Sequence, residues 1–386
     1  GNAGDGGQGG TVQVTNTGAV STAGKAAPAI LAQSVGGGGG VGTVSEQDLA
    51  ALVKAHGGDQ AAEILAKINT IVQLLASKGM SLTSNINVTV GGGGGGGGNG
   101  GLATVDASAA GSIVTTTGDH APGIVAQSVG GGGGKAEVSS FLVGAGGLAT
   151  PAGQTGAPLT IAMGGSRTLS GFISEAAVMS GGGATVTTGQ VRTQGNDAPA
   201  VIAQSVSGGG GLASISIDGL DAAGLGAGNS AQAPVISLGG KISVVGGFSI
   251  PPIDAGDATV TTTGGNIVTS GALSHGVMAQ SVGGGGGAAT LATSAAAAPM
   301  LAPAQVTLGM DASNQDSMRT DGGHVSVTTG KYDEGSSTIA HTMVQTSGDL
   351  AFGVLAQSVG AGGGYVGLLN GGRAQAPASV ALGALG

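Results

Sequence analysis

The stretch APGIVAQSVGGGGG, residues 121–134, decides how this chain folds. Its centre, Ala-Gln-Ser-Val followed by a run of glycine, occurs five times in 386 residues. Successive copies are separated by 94, 77, 76 and 77 residues. The five glutamines are Gln33, Gln127, Gln204, Gln280 and Gln357. Self-similarity at a nearly constant period is typical of repeat architectures.

Upstream of each glutamine, every second residue is constant. Nine residues before it lies glycine, eleven before it threonine, and thirteen before it valine or isoleucine, whereas the residues between them vary. This period of two predicts a strand with one constant face, which ends near the glycine. The threonines are Thr22, Thr116, Thr193, Thr269 and Thr346. The glycines, called the corner glycines below, are Gly24, Gly118, Gly195, Gly271 and Gly348.

The Ala-Gln-Ser-Val segment and the two residues before it are restricted at every position, as in Ile124–Val129. A strand restricted on both faces is covered on both faces. We therefore expect the glutamine and the serine to be buried or half-buried and hydrogen-bonded. The glutamine has enough donors and acceptors to bind the glycine backbone that follows it.

The glycine runs keep one distance from this strand in all five copies. They read either as ordered backbone in close contact with its neighbours or as flexible surface loops, and the constant distance favours order. Two coil arrangements remain open: three or four coils of about 20 to 25 residues per repeat, or one large coil per repeat with the glycine runs as polyglycine II segments. Only the second places successive glutamines about 4.8 Å apart.

Composition limits the class of protein. The chain has 86 glycines but no tryptophan, four phenylalanines and two tyrosines, so an ordinary globular core is not expected. Only 8% of its residues are charged, which argues against disorder. A net charge of −9 with scattered basic residues argues against a nucleic-acid partner. The chain lacks cysteine, and we find no apolar leader and no membrane-spanning segment.

One segment departs from the repeat. Ser45 to Asp48 resembles a helix cap, and apolar residues recur at helical spacing until Lys78-Gly79. We predict an inserted helical hairpin whose apolar stripe is covered by the solenoid or by another subunit.

The sequence thus predicts one continuous, elongated, all-β parallel solenoid (β-helix) of five glycine-rich repeats. Further strands are expected at 84–90, 212–217, 235–238, 241–245 and 306–308. The segments are 1–44 (first repeat motif), 45–79 (helical hairpin), 80–134 (glycine-rich linker and second motif), 135–211 (third repeat), 212–287 (fourth repeat) and 288–386 (fifth repeat and C-terminal segment).

Two stretches of the sequence resemble catalytic or nucleotide-binding motifs but lack residues that those motifs need. Ala-Gln-Ser-Val-Gly resembles the elbow of serine hydrolases without its first glycine, but a nucleophile in five copies with no histidine in a common register indicates a structural serine. The run before Lys135 resembles a phosphate loop, yet Ala136 stands where a metal-binding hydroxyl belongs. The histidines are His56, His120, His275, His324 and His341.

No metal or cofactor site is predicted. Four residues could supply oxygen ligands for calcium, but they lack a known ligand spacing, and a solvated loop is the preferred interpretation. They are Asp311, Asn314, Asp316 and Asp321. The pairs Asp254–Asp257 and Asp333–Glu334 receive the same interpretation.

Together, Val-x-Thr-x-Gly and the stretch at 121–134 resemble the glycine-rich repeats in the passenger regions of large autotransporter proteins of Gram-negative bacteria. The resemblance covers roughly residues 11–40, 102–134, 184–211, 258–287 and 324–364. It implies a secreted β-solenoid, displayed at or released from the outer cell surface, with an adhesive, matrix or coat role. The family's C-terminal membrane barrel has no counterpart here, which puts surface anchoring in doubt.

The preferred functional hypothesis is a non-enzymatic extracellular structural protein: a fibre subunit, surface stalk or adhesin segment that assembles end to end into a homo-oligomer or filament. The alternative is a receptor- or surface-binding module that uses the glycine-rich loops and the helical hairpin to bind a cell-surface or matrix partner. A polysaccharide-active β-helix enzyme ranks third, because it needs a groove lined with acids and bases that this charge-poor chain does not offer.

Overall fold

The protein is an all-β parallel solenoid in which each sequence repeat forms one complete coil. This architecture was obtained as a computed structural model. Neighbouring coils pair strand by strand, which builds five parallel sheets of five strands each. The structure describes residues 6–45, 67, 70, 86–91, 97–143, 159–170, 179–220, 234–245, 252–293, 304–311, 319–333, 338–370 and 378–383.

The sheets are numbered in the order in which a coil passes through them, and the strands in chain order. Sheet 1 contains β1 (Val12–Thr15), β6 (Ala103–Ala107), β12 (Ala184–Thr188), β18 (Ala258–Thr262) and β23 (Val325–Thr329). Sheet 2 contains β2 (Ala19–Thr22), β7 (Ile113–Thr116), β13 (Gln190–Thr193), β19 (Gly265–Thr269) and β26 (Thr342–Thr346). Sheet 3 contains β3 (Ile30–Val35), β8 (Ile124–Val129), β14 (Val201–Val206), β20 (Val277–Val282) and β27 (Val354–Val359).

Sheet 4 contains β4 (Gly39–Ser45), β9 (Gly133–Val143), β15 (Gly210–Leu220), β21 (Gly286–Thr293) and β28 (Gly363–Asn370). Sheet 5 contains β5 (Asn87–Val90), β10 (Thr160–Met163), β16 (Val235–Leu238), β22 (Gln305–Leu308) and β29 (Ser379–Leu382). Two further pairs lie outside these sheets. They are the parallel pair β11 (Ser166–Ser170) with β17 (Lys241–Val245) and the antiparallel pair β24 (Lys331–Asp333) with β25 (Thr338–Ala340).

The register decides between the two coil arrangements. Each Ala-Gln-Ser-Val segment pairs in register with its equivalent in the next coil, so Gln33 faces Gln127 and Gln127 faces Gln204. One large coil per repeat is therefore confirmed. Each predicted strand segment between the repeats contains or lies within an observed strand.

The apolar residues form layers between the sheets. Alternate residues of sheet 3, such as Ile124 and Ala126, pack against sheets 1 and 2. Their neighbours, such as Val125, pack against Leu212 of sheet 4. The other face of sheet 4 packs on sheet 5, for example through Ile215 and Ile236. Sheet 3 is thus covered on both faces, as its sequence predicts, and strands β8, β14 and β20 are buried along their whole length.

The constant threonine and the corner glycine form the turn between sheets 2 and 3. Thr116 Oγ1 donates to the carbonyl of Ala121 at 2.6 Å, and Thr193 Oγ1 donates to that of Ala198 at 2.5 Å, which closes the corner. A Cβ atom built on Gly195 would lie well inside 3.0 Å of the Gly118 carbonyl oxygen in the preceding coil. The corner residue is glycine because adjacent coils leave no room for a side chain.

The glycine runs are ordered and are divided between a bend and a strand. In the run at 130–134, Gly131 and Gly132 have φ of +85° and +84°, and Gly133 and Gly134 begin strand β9. The same division recurs in the other coils. No continuous polyglycine II helix spans a run, because its last two residues join the hydrogen-bonded sheet 4.

The predicted helical hairpin at 45–79 lies outside the described residues except for Ser45, Lys67 and Thr70. Lys67 and Thr70 are helical. Ser45 is the last residue of strand β4, a backbone conformation that an N-cap residue also adopts, so the hairpin stays a prediction. The segment boundaries after residues 44, 134, 211 and 287 fall inside strands of sheet 4. They mark the period of a continuous solenoid and no structural break.

No helix within the described ranges is long and apolar enough to cross a membrane.

Candidate functional site

The repeated serine, first considered as a nucleophile, binds backbone. Ser128 Oγ accepts a hydrogen bond from the Gly182 amide of the loop that enters the next coil, at 2.8 Å. Ser281 Oγ accepts from the Gly323 amide at 2.7 Å and donates to the Gly256 carbonyl at 2.7 Å. These serines therefore connect consecutive coils, which agrees with the structural interpretation.

Of the four residues considered as oxygen ligands for calcium, two lie within the described residues, and each is paired with a basic side chain. Asp311 forms an ion pair with Lys241, with Nζ–Oδ2 at 2.9 Å, while Asp321 is exposed beside Arg319. Asn314 and Asp316 lie outside the described residues, as does Glu334. Within the part of the chain that the structure describes, no three His, Cys, Asp or Glu residues are arranged to hold a metal ion.

The other acidic pair supports loops. Asp254 Oδ1 accepts from the Asp321 amide at 3.0 Å, and Asp257 Oδ1 accepts from the His324 amide at 2.8 Å. Both carboxylates thus join coil four to coil five. Asp333 is the last residue of strand β24.

The histidines separate into two groups. His324 and His341 are exposed, and His56 lies outside the described residues. His120 and His275 are buried, with 3% and 1% of their surface exposed, and line one cavity. This cavity lies between the corners that join sheets 2 and 3 and the facing strands of sheet 4.

All buried charged side chains of the described residues line this cavity. They are Lys135, Glu137 and Asp197. Burying a charge is costly unless it is paired, so their concentration in one place distinguishes this cavity from the rest of a charge-poor solenoid. Together with His120, Ser214 and Thr290, they are called the buried charge cluster below.

The stacking of coils assembles the cluster. His120 and Asp197 each lie two residues after a corner glycine, in neighbouring coils, and both have positive φ, +56° and +48°. Opposite them, sheet 4 places Glu137, Ser214 and Thr290 at one register position in three consecutive strands. Equivalent positions in neighbouring coils are adjacent in space, so the cluster runs along the solenoid axis.

Short hydrogen bonds connect the cluster. Asp197 Oδ2 lies 2.9 Å from His120 Nδ1 and accepts from Ser214 Oγ and Thr290 Oγ1, each at 2.5 Å. Lys135 Nζ forms an ion pair with Glu137 Oε2. The cluster therefore contains two close cation–carboxylate pairs, Lys135–Glu137 and His120–Asp197, and a longer one in which His120 Nδ1 lies 4.0 Å from Glu137 Oε1.

Burial and pairing shift the pKa values in the cluster. Burial alone would lower the pKa of His120, but the hydrogen bond and charge of Asp197 outweigh it and raise that pKa. Burial would raise the pKa of Asp197, yet the hydrogen bonds from His120, Ser214 and Thr290 keep it below its usual value. Burial raises the pKa of Glu137 despite the opposing charge of Lys135. The shifts of His120 and Asp197 favour a charged pair.

Serine, histidine and aspartate meet here, but not as a catalytic relay. In the Ser-His-Asp arrangement, the serine and the carboxylate bind opposite nitrogens of the imidazole. Ser214 Oγ and Asp197 Oδ2 both lie next to the same nitrogen, His120 Nδ1, at 2.7 and 2.9 Å. Ser214 also donates to Asp197, so its proton satisfies the carboxylate. This geometry stabilises a buried ion pair and does not activate a nucleophile.

The C-terminal end of the cavity is aromatic. His275 lies edge-on to Tyr365, with ring centroids 4.8 Å apart, and its Nδ1 accepts from the Phe352 amide at 3.0 Å. Because Nδ1 is an acceptor, the neutral ring carries its proton on Nε2. Burial lowers the pKa of His275 to about 4 and raises that of Tyr365 to about 12, so both are uncharged at neutral pH.

Sequence reasoning missed this cluster because it treated the histidines as having no common register among themselves. His120 and Asp197 share a register position with each other, two residues after a corner glycine. With one coil per repeat, that shared position makes them neighbours. Lys135, in turn, is a buried ion-pair partner and not part of a phosphate loop.

Comparison with models of protein families, with curated proteins and with solved structures finds no match, so the function has to be argued from the solenoid itself.

Proposed function

We propose that this chain is a non-enzymatic extracellular structural protein, a repeat scaffold that serves as a fibre subunit, surface stalk or adhesin segment and extends by end-to-end stacking. The observation that carries the proposal is the row of glutamines along sheet 3, which has a direction and, within the described residues, is open at both ends. The resemblance to autotransporter passenger repeats supports the outer cell surface as its location and a cell-surface or matrix partner.

The glutamine row is a continuous chain of side-chain hydrogen bonds. Each Nε2 donates to the Oε1 of the glutamine in the next coil, at 2.6 to 2.8 Å. From coil two onwards, each Nε2 also donates to a glycine carbonyl seven residues later, for example that of Gly134 at 3.1 Å. All four links run in the same direction.

The two ends of the row are complementary. Within the described residues, Gln33 Oε1 in the first coil accepts no hydrogen bond, and Gln357 in the last coil has no further glutamine to which it can donate. A second copy placed after the last coil would supply the missing acceptor. The link between copies would then repeat the link between coils.

The last coil also exposes apolar side chains that are covered in inner coils. Val354 is 44% exposed, whereas its register partner Val277 is fully buried. Leu382 is 56% exposed, whereas its partner Leu308 is fully buried. Such an apolar end with unpaired strand edges favours association with another sheet end.

The strand register between two stacked copies should repeat the register between neighbouring coils of one copy. Strand β27 of one copy would pair in parallel with β3 of the next, with Val354 opposite Ile30 and Gln357 opposite Gln33. The surfaces at the two ends differ, so the contact is heterologous and each copy leaves another open end. Such contacts produce open fibres and not closed dimers.

A substitution at Gly24 should prevent end-to-end stacking without disturbing the coil in which it lies. At the four later corner glycines, a built Cβ points at the corner glycine of the preceding coil. Gly24 has no preceding coil, and its Cβ would meet only the Ala27 Cβ at 3.5 Å. In a stacked pair, however, it would collide with Gly348 of the neighbouring copy.

The test compares wild type, Gly24→Ala and Arg192→Ala by sedimentation velocity and negative-stain electron microscopy over a range of concentrations. Arg192 is exposed on the side of the third coil and serves as the control. We expect fibres or a concentration-dependent mass for wild type and Arg192→Ala, and monomers for Gly24→Ala with an unchanged circular dichroism spectrum. Monomeric wild-type protein at all concentrations, or fibres of Gly24→Ala, would refute end-to-end stacking.

A further inference from the structure

The cavity beside the buried charge cluster is lined by two residues that each have a polar atom without a hydrogen bond. Among the described residues, three buried side-chain atoms lack a hydrogen bond: Glu137 Oε1, Thr188 Oγ1 and His275 Nε2. Two of these three, on Glu137 and His275, belong to residues that line this cavity, and both residues are 1% exposed. Buried polar atoms are normally satisfied, so these two atoms are the groups through which the cavity can bind a small molecule.

The two atoms have opposite hydrogen-bonding roles. Because the Phe352 amide donates to His275 Nδ1, His275 Nε2 carries the proton and is a donor. Glu137 Oε2 is paired with Lys135, which leaves Oε1 as an acceptor. An occupant therefore needs one group that accepts from His275 and another that donates to Glu137.

Charge balance indicates an uncharged occupant. Lys135 offsets Glu137, and protonated His120 offsets Asp197. His275 and Tyr365 add no charge. A charged molecule would lose its hydration and find no excess of opposite charge in the cavity.

The size of the cavity and the residues that line it further limit which molecules could bind there. Its volume of about 50 Å³ exceeds the 10 to 15 Å³ that one water needs. Part of the cavity wall is apolar and is formed by Pro122, Pro199 and Met278. A water molecule against this wall would lack the two to four polar partners that hold a buried water in place. A short carbon chain would contact that wall well.

The two polar atoms belong to side chains of different coils. Glu137 is in the second coil and His275 in the fourth, so their backbones lie about 10 Å apart along the axis at roughly 4.8 Å per strand. Both side chains line the same cavity of about 50 Å³, so a molecule that binds both of them must be short. Two hydroxyl groups on adjacent or next-adjacent carbons supply the donor and the acceptor within a molecule of that size.

We propose that the cavity is a binding site for a small uncharged diol, with Glu137 Oε1 accepting from one hydroxyl and His275 Nε2–H donating to the other. The diol is either a free polyol or the exposed edge of a sugar, since both present the same hydroxyl pair. This inference is independent of end-to-end stacking, because Glu137 and His275 both belong to inner coils.

The test follows the ¹⁵N chemical shift of His275 Nε2 in the full chain during titration with ethylene glycol and, separately, with methyl glucoside. The exposed rings of His324 and His341 are internal controls in the same spectra. We expect a saturable shift of His275 alone. Saturation with ethylene glycol only assigns the site to free polyols, and saturation with both probes extends it to sugar edges.

Three variants test the assignment. Glu137→Gln should weaken binding at least about tenfold, because the remaining oxygen pairs with Lys135 and the amide presents a donor. Ala288→Leu should abolish binding by filling the cavity while keeping every polar group. Leucine already occupies the register-equivalent position at Leu212, so this variant should fold. Asp257→Asn makes the same charge change outside the cavity and should bind like wild type.

A linear, non-saturating shift of His275 would overturn the proposal, as would unchanged binding by Ala288→Leu. A high-resolution structure grown in ethylene glycol that shows only water in the cavity would also overturn it. Thermal unfolding of each variant, followed by circular dichroism, separates loss of the site from loss of the fold.

Discussion

At the scale of single residues, the corner glycines show how coil stacking dictates sequence. Their constancy comes from the close approach of the preceding backbone and not from a left-handed conformation. The positive φ lies two residues later, on non-glycine residues such as Ala26 and Leu273. A constant glycine in a sequence is compatible with either cause, and only the packing of neighbouring coils decides between them.

This packing predicts opposite outcomes for one substitution at two equivalent positions. Gly195→Ala places a methyl group against the Gly118 carbonyl and should lower the free energy of unfolding by about 2 to 3 kcal/mol. Gly24→Ala should change it by less than about 0.5 kcal/mol, because its Cβ has space. Urea unfolding of monomeric protein measures both. Equal effects would contradict the close-approach explanation.

His275 should make stability depend on pH. Its pKa is about 4 in the folded protein and 6.5 when exposed. Between pH 4 and 6.5, this histidine is therefore protonated in the unfolded chain and neutral in the folded chain. The free energy of unfolding should therefore fall as pH decreases from 6.5 to 4, by up to about 3 kcal/mol. Below pH 4 this contribution stays constant.

The comparison variant is His275→Phe, because phenylalanine occupies the equivalent position at Phe352. Urea unfolding at pH 7.5, 5.5 and 4.5 should give a shallower pH dependence for this variant than for wild type. Asp197, the charged group that acts on His275, is present in both proteins. Parallel pH profiles would show that His275 does not titrate as described.

At the scale of elements, sheet 3 carries a polar row inside an otherwise apolar layer. Gln204 accepts from Gln127 and donates to both Gln280 and the Gly211 carbonyl, all in buried surroundings. Gln204→Leu would leave groups on both neighbouring glutamines without partners. We expect a loss of about 2 to 4 kcal/mol of stability in denaturant unfolding.

Gln33→Leu is the matched control, because Gln33 is half-buried at the open end and has one glutamine neighbour. It should cost about 1 kcal/mol. A similar cost for Gln33→Leu and Gln204→Leu would mean that the row adds nothing beyond a single hydrogen bond.

Much of this element could be predicted from the sequence, and the buried charge cluster could not. The alternation before Gln127 and the restricted positions around it gave the one-faced strand, the covered strand and the buried glutamine. The same spacing suits several small coils or one large one, since a period contains no information on which strands pair. Without that pairing, Glu137, Ser214 and Asp197 are isolated polar residues, and nothing indicates that they meet.

At the scale of the whole molecule, the period is the unit of construction. Gly287 and Gly364 are register partners in sheet 4, and residues 288–364 comprise one full period of 77 residues. Deleting them joins Gly287 to Tyr365 at an equivalent point of the coil. The buried pairs Lys135–Glu137 and His120–Asp197 are retained.

We expect this deletion to fold with an unchanged β-type circular dichroism spectrum and to shorten the particle by about 4.8 Å, measurable by small-angle X-ray scattering. Deleting only 326–364, about half a period, would shift every following strand into the wrong sheet. That protein should aggregate or unfold. Two equally folded deletions would show that register does not govern the fold.

The direction of the inter-strand hydrogen bonds also determines how the molecule bears mechanical load. In all five sheets these bonds join one coil to the next, so tension along the axis falls on non-covalent bonds, whereas tension along a strand falls on the covalent chain. Under axial pulling, optical tweezers should therefore record coils that peel off one after another, with each step releasing about one period of chain. A stalk built this way would lengthen by one coil at a time under axial tension and shorten again as the coils pair when the tension is released.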